Sequence, residues 1–313
     1  MNIGLDMMGG DFSPLEAVRG VQLYLKATSS PALLFLVGDE DQINPLLQEY
    51  AIPAGSVKVV HAPQVIGMNE HPTKALKEKQ QSSIAVGFQL LASGQMDAFI
   101  SAGNTGAMLV GALYGIKPIE GIQRPTISTI IPKENGGTGV LLDVGLNADC
   151  KPENLNQFAV LGSLYAQHIL GIGRPKVGLL NIGEEEGKGN ILAQAAYPLL
   201  KENALIHFIG NIEGRDILLD KADVMVCEGF TGNVILKMAE SLHGIAKDKN
   251  IKDDYFDRFD FELYGGTPLL GVTKPVIIGH GISHGRAFLN MIKLAQKMID
   301  TDLLGKMKES FLS

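Results

Sequence analysis

The sequence predicts an α/β fold, a three-layer, doubly wound and mostly parallel sheet flanked by helices. Three observations predict it. Short apolar runs alternate with helical patterns, giving strand-helix-strand-helix-strand by residue 61. The runs are too short for helices and several end on glycine. Glycine is abundant, 37 of 313 residues, as many tight strand-to-helix turns require.

Taken in order, residues 2–7 read as a strand that stops at Gly9-Gly10-Asp11. A helix follows, with Ser13 as its N-cap, Pro14 at its first position, and Leu15, Val18, Val21 and Leu25 on its apolar face. Residues 32–37 and 57–61 read as strands on either side of a helix over 41–50. One polar helix is expected over 73–91, a strand over 98–101, a turn at 103–106 and a small-residue helix over 107–116. The runs 127–131 and 140–143 flank a polar turn and predict an antiparallel hairpin, common in mixed sheets. A helix over 154–170 leads to the strand opening VGLLNIGEEEGKGN (177–190), and Ile191, Leu192, Ala195, Ala196 and Leu199 continue at helical spacing. Strands are expected at 205–209, 224–227 and 276–279, and helices at 234–245 and 287–299. Residues 264–271 (YGGTPLLG) read as a turn-rich loop, and KDKNIKDDYFDRFDFE (247–262) as a charged stretch with interleaved aromatics. Residues 1–313 read as one catalytic unit, divisible into two intimately packed subdomains at no marked linker.

Composition excludes several classes. The chain is 45% hydrophobic and 19% charged, with a net charge of −7, and no dense Lys/Arg run offers a nucleic-acid patch. Two cysteines, Cys150 and Cys227, make no disulfide framework and fit a reducing compartment. The N-terminal MNIGLDMMGGD has no charged-then-apolar leader, so no signal peptide is expected. No apolar run reaches the ~18–20 residues a spanning helix needs. The seven histidines show no HExxH or paired helical spacing, and the acidic set Asp253, Asp254, Asp257, Asp260 and Glu262 lacks a calcium-loop glycine, so no metal is expected. Cys227 is flanked by Glu228, which opposes a thiolate, and no Gly-x-Ser-x-Gly elbow is present.

Five loops share one form, a strand, then small residues with a hydroxyl or amide, then a helix: MGGDFSP, SAGNTGA, NIGEEEGKGN, EGFTGNV and GHGISHG. Carboxyl ends of parallel strands lie on one edge, so these loops are expected to converge on one cleft. Backbone N–H groups at helix starts favour anions, and Lys188 adds a full charge. A cleft so lined suits phosphate or a developing oxyanion better than a metal. The same Lys188 loop also fits a solvated turn, and Asn233 also fits a helix cap.

Together DMMGGD, SAGNTGA, LLDVGLNADCKPENL (141–155), VGLLNIGEEEGKGN, GNIEGRDI (210–217), EGFTGNVILK (228–237) and YGGTPLLG resemble the bacterial acyl-ACP:phosphate acyltransferase family of phospholipid synthesis, over nearly the whole chain. The resemblance implies a fold similar to isocitrate and isopropylmalate dehydrogenases and phosphotransacetylases. It implies transfer of a fatty acyl group from acyl carrier protein (ACP) to inorganic phosphate without a cofactor, by a cytoplasmic homodimer, peripheral at the membrane at most. The product would feed a membrane glycerol-3-phosphate acyltransferase. It implies Lys188 and Asn233 as catalytic residues. Asp6, Gly9, Gly10, Asn104, Thr105, Gly189, Asn190, Thr231 and Gly232 are implied as substrate-binding. Departures include Met7 where the family has Ala, Glu228 where it has Asp, and Lys79-Gln80-Gln81-Ser82-Ser83 in place of KKDSS. The stretch before YGGTPLLG is shorter than in many members and acidic towards its end, which opposes anionic lipid and predicts weak membrane insertion. An acidic carrier needs a local basic patch; Lys74, Lys77 and Lys79, Lys151, or Arg286, Lys293 and Lys297 are candidates. Two other readings are a metal- and NAD-dependent dehydrogenase of the shared fold, which lacks an acidic metal set, and a non-catalytic acyl-ACP or acyl-CoA binding regulator.

Overall fold

A computed structural model describes residues 1–312. The chain divides into two compact units, Met1–Lys117 with Phe261–Asp300, and Pro118–Asp260 with the segment from Thr301 on. Through residue 117 it runs β1 (Asn2–Asp6), α1 (Leu15–Ala27), β2 (Leu33–Gly38), α2 (Glu40–Glu49), β3 (Val57–His61), α3 (Pro72–Glu78), α4 (Ser83–Ala92), β4 (Ala98–Ser101) and α5 (Thr105–Gly111). The second unit supplies β5 (Thr126–Pro132), β6 (Thr138–Leu142), α6 (Pro152–His168), β7 (Lys176–Asn181), α7 (Ile191–Glu202), β8 (His207–Glu213), β9 (Val224–Val226), α8 (Gly229–Asp248) and α9 (Asp254–Asp257). The first unit is completed by β10 (Thr267–Leu270), β11 (Val276–Ile278) and α10 (Gly285–Asp300), and α11 (Leu303–Leu312) belongs to the second.

In the first unit the strands lie in the order β3-β2-β1-β4-β11-β10, parallel except for β10 against β11. In the second the order is β5-β6-β9-β7-β8, parallel except for β5 against β6. The central strands are apolar runs buried on both faces, as parallel strands covered by helices must be: Ile3 and Leu5 on β1, Val140 and Leu141 on β6, Val224 and Val226 on β9 are all 0% exposed. Helix α10 buries Ala287, Phe288, Met291, Ile292, Ala295 and Met298, one helical face, and packs on α1. Gly20 permits that approach, because a Cβ there would lie 2.2 Å from Phe288 Cβ.

Four expectations are corrected. Helix α1 starts at Leu15, after Pro14, and Ser13 does not cap it; its Oγ donates to Met8 O at 3.0 Å. The single helix expected over 73–91 is two, because Ser82 accepts from Ala85 N and starts α4 anew, while Ser83 N donates to Gln64 O. The run 264–271 contains a strand, β10, whose Pro268 sits opposite Ile277 on β11. Helix α8 starts at Gly229, five residues early, because the Glu228 carboxylate accepts from Phe230 N and Thr231 N and caps it.

The hairpin β5–β6 forms as expected. Of the charged stretch 247–262, residues 249–260 form a strap over its turn. Tyr255 packs edge-on against Phe256 and Phe259, and Arg258 Nη1 donates to Lys133 O at 3.0 Å. Among the described residues no helix is long and apolar enough to cross a membrane.

Candidate functional site

Three of the five loops belong to the first unit and meet there. Asp6, the last residue of β1, is 1% exposed. Its carboxylate accepts from Ser101 Oγ at 2.6 Å and Met8 N at 3.0 Å. Burial raises its pKa, and the Ser101 hydrogen bond opposes that. Gly9 packs directly on this carboxylate; a Cβ there would lie 2.4 Å from Asp6 Oδ2 and 2.6 Å from Gly103 N. Gly10 takes φ +98°, open to glycine, and Asp11 N donates to Gly281 O, which ties in the loop after β11. Asn104 caps α5, its Oδ1 accepting from Ala107 N, while its Nδ2 donates to Gly67 O, Met68 O and Glu70 O. Thr105 stands exposed at the first position of α5. Asp6 and Asn104 thus turn into the protein and hold the loops; Gly10 and Thr105 lie on the loop surface.

The other two loops belong to the second unit. After β7, Asn181 Nδ2 donates to Lys188 O, and Gly189 at φ +98° passes so close that a Cβ would sit 2.3 Å from Asn181 Oδ1. Asn190 caps α7, its Oδ1 accepting from Ala193 N at 2.8 Å. The three glutamates hold the loop from outside: Glu184 pairs with Lys221, Glu186 with Lys201, and Glu185 O accepts from Asn211 Nδ2. Lys188 is exposed, with its stem against Gly183. Among the described residues no carboxylate pairs with its ammonium. A free cation beside a helix start is what an anionic group would meet.

The loop after β9 is locked to the loop after β6. Asp143, fully buried, accepts from Ile127 N, Gly145 N and Leu146 N through Oδ1, and from Asn147 N and Asn147 Nδ2 through Oδ2. Burial raises its pKa, against the hydrogen bonds from Leu146 and Asn147. Gly229 N donates to Asn147 O at 2.7 Å. Asn233 is exposed in the first turns of α8, and its Nδ2 donates to Val144 O at 3.0 Å; it is not the helix cap. Thr231 Oγ1 bonds Glu228. A Cβ on Gly232 would lie 1.8 Å from Asp143 O, which is backbone and cannot yield. Gly232→Ala is therefore expected to lower stability by about 1–3 kcal/mol through overpacking, read as a drop in urea midpoint; an unchanged midpoint contradicts this packing.

A cavity of about 730 Å³ opens in the second unit with Asn181, Gly189, Asn190, Glu228 and Thr231 among its lining. The Lys188 and Thr231 loops therefore share one cavity. Sequence reasoning missed Asp143 and Asn147 as the residues that seat the start of α8. The available signal was an Asp at the end of an apolar strand, followed by a glycine and an Asn that its carboxylate can bond.

Glu184, Glu213 and Asp216 bring carboxylates within 4.8 Å of one another. Lys221 bonds Glu184 and Asp216, and Arg215 pairs with Glu213, so each carboxylate already has a cationic partner. Neither thiol is primed. Burial, and then Asp143, push Cys150 up to about 12, and burial, then Glu228, push Cys227 well above its ordinary value. At pH 8 the thiolate fraction of a thiol with a pKa of about 12 is on the order of 10⁻⁴. Iodoacetamide at pH 8 is expected to leave activity intact over hours; rapid loss contradicts a non-nucleophilic role.

The fold, with its two mostly parallel units and its glycine-flanked loops at strand ends, is that of the phosphotransacetylases. It matches a phosphotransacetylase from Streptococcus pyogenes with a TM-score of 0.66, at 18% identity, over 96% of this chain and 94% of that one. It matches a branched-chain phosphotransacylase from Enterococcus faecalis with a TM-score of 0.63, at 16% identity, over 95% and 99%. The family model described as fatty acid synthesis protein matches residues 1–306, and the chain belongs to that family. A relative from Dictyoglomus turgidum, named phosphate acyltransferase, is 43% identical over 99% of this chain and 97% of its own. One from Aquifex aeolicus with the same name is 45% identical over 98% and 96%.

Proposed function

We propose that this chain transfers a fatty acyl group from an acyl carrier protein to inorganic phosphate, releasing acyl phosphate for phospholipid synthesis. The observation that carries the proposal is the Lys188 ammonium, unpaired on a glycine-flanked loop beside a largely apolar cavity, in a chain 43–45% identical to phosphate acyltransferases. A hydrogen phosphate oxygen attacks the thioester carbonyl, a C–O bond forms, and the carbonyl oxygen takes up negative charge. Collapse breaks the C–S bond, and the phosphate proton ends on the departing thiol. Thiolate leaves readily, so no strong general acid is needed. Lys188 supplies charge to the phosphate or the oxyanion, and Asn233, held by Val144 O, adds an amide donor. Taken by itself, the first unit offers loop surface at Gly10 and Thr105 to an anion, with Asp6, Gly9 and Asn104 as supports. The test is to incubate long-chain acyl-ACP and phosphate with the protein and count acyl phosphate and free carrier thiol, against controls without phosphate and without protein. Sustained turnover is expected. Bound but unconsumed acyl-ACP would contradict the proposal and favour a regulator.

We further infer that the protein acts in the cytoplasm as a homodimer that touches membranes weakly, the acidic residues of 247–262 supporting weak contact. Light scattering at dimer mass, with no recovery in floated anionic vesicles at physiological salt, is expected. A monomer, or flotation that survives high salt and carbonate, would contradict it.

A further inference from the structure

We propose that the cavity of about 730 Å³ in the second unit seats the acyl chain, and that Ile235 and Met238 on α8 set how long a chain it takes. This rests on the acyl-transfer reading above. The volume lies within the ~300–1,000 Å³ of ordinary ligand pockets.

The lining is ordered along its elements. Its polar members sit where strands end and helices begin: Asn181 at the end of β7, Asn190 before α7, Glu228 and Thr231 at the start of α8. Apolar Ile182 and Leu192 also reach the rim, but the members farther into β7 and α8 are all apolar, Leu179 and Leu180 on β7, Ile235 and Met238 on α8. Thr231, Ile235 and Met238 are spaced i, i+4, i+7, one face of the helix, and span about 10 Å along it. One end of the cavity is therefore polar and adjoins the Lys188 loop, and α8 carries the lining away from it.

The occupant is a hydrocarbon rather than the amide-rich arm of a carrier. Buried amides need hydrogen-bond partners, and the polar rim has little left to give. Asn190 Oδ1 is spent on Ala193 N, Thr231 Oγ1 on Glu228, and Asn181 Nδ2 on Lys188 O, so of these side chains only Asn190 still has an uncommitted amide nitrogen to offer as donor. Beyond the rim the named side chains are Leu, Ile and Met. Each methylene seated there favours binding by about fourfold. The thioester end then lies at the rim, towards the Lys188 loop.

The test compares kcat/KM for C8, C12 and C16 acyl-ACP on wild type, Ile235→Trp and Met238→Trp. Ile235, nearer the rim, is expected to act as the shorter stop: Ile235→Trp lowers both the C12:C8 and C16:C8 ratios at least tenfold. Met238, 60% exposed and able to accept a larger side chain without loss of fold, is the longer stop. Met238→Trp lowers C16:C8 at least tenfold and leaves C12:C8 within about twofold. Met238→Ala shifts preference towards longer chains. Ratios unchanged from wild type in both Trp variants, or equal slowing of all three chains, would overturn the assignment. A wild type inert towards all three chains would instead overturn the acyl-transfer reading.

Discussion

Lys188→Ala is expected to lower kcat/KM for acyl-phosphate formation by about 10²–10³-fold, the scale of removing one preorganised donor to a developing charge. The side chain is exposed and among the described residues pairs with no carboxylate, so its removal leaves no buried partner behind. Thermal stability should shift by no more than about 0.5 kcal/mol, as for an ordinary surface change. The combination separates catalysis from folding. Loss concentrated in the KM for phosphate would place the ammonium on the bound anion. Loss concentrated in kcat would place it on the oxyanion. A variant within threefold of wild type in kcat/KM would remove Lys188 from the mechanism.

The second large effect is structural. Lys133 is 2% exposed, and its ammonium bonds Asp223 at 2.7 Å and Asp220 at 2.9 Å. Its carbonyl accepts from Arg258, and its N–H donates to Gly137 O, so one residue joins the β5–β6 turn, the start of β9 and the strap around α9. Lys133→Met keeps most of the stem but strands a buried carboxylate, and should cost about 3–5 kcal/mol. Asp220 pairs from an exposed position, and the Lys133 hydrogen bond and charge hold its pKa below the ordinary 3.8. A depressed carboxylate stabilises the fold above its ordinary pKa and loses that contribution as pH falls through the folded value. The gap between wild type and Lys133→Met should therefore narrow below about pH 4. Urea denaturation from pH 3 to 7 checks both statements. Adding Asp223→Leu to Lys133→Met should recover part of the loss, because the stranded charge leaves with it. A single variant as stable as wild type at neutral pH would contradict the role given to this pair.

Much of the fold was legible because short-range signals agreed. Apolar runs ending in glycine marked β1, β2 and β7, and the polar turn at 133–139 marked the β5–β6 hairpin. What failed did so where one residue's context overrode the pattern. EGFTGN has two glycines and reads as loop, yet Glu228 caps α8 at once and draws Thr231, Gly232 and Asn233 into its first turns. Pro268 and the glycines at 265 and 266 hid β10, whose partner strand only pairing reveals. A continuous helical period ran through Ser82, where a side-chain cap starts a new helix.

The candidate site's residue types were legible in the sequence, but not what holds them. The glycine-flanked Lys188 and the amides of the helix starts stood out from residue type alone. Asn104 and Asn190 read as ligands for a substrate, whereas the structure spends their side-chain oxygens on α5 and α7. Asp143 gave no signal of its own, because four of its five hydrogen bonds depend on how the chain folds back over residues 144–147 and the fifth comes from Ile127 on β5. The Lys133–Asp223 pair spans 90 residues and no local rule reaches it.

One measurement bears most directly on direct attack by phosphate: release of carrier thiol from acyl-ACP in a single turnover, with and without phosphate. Direct transfer predicts release only when phosphate is present, one thiol for each acyl phosphate formed. A burst of thiol equal to the enzyme concentration in the absence of phosphate would show that the acyl group passes first to the protein, and would contradict the mechanism built on Lys188.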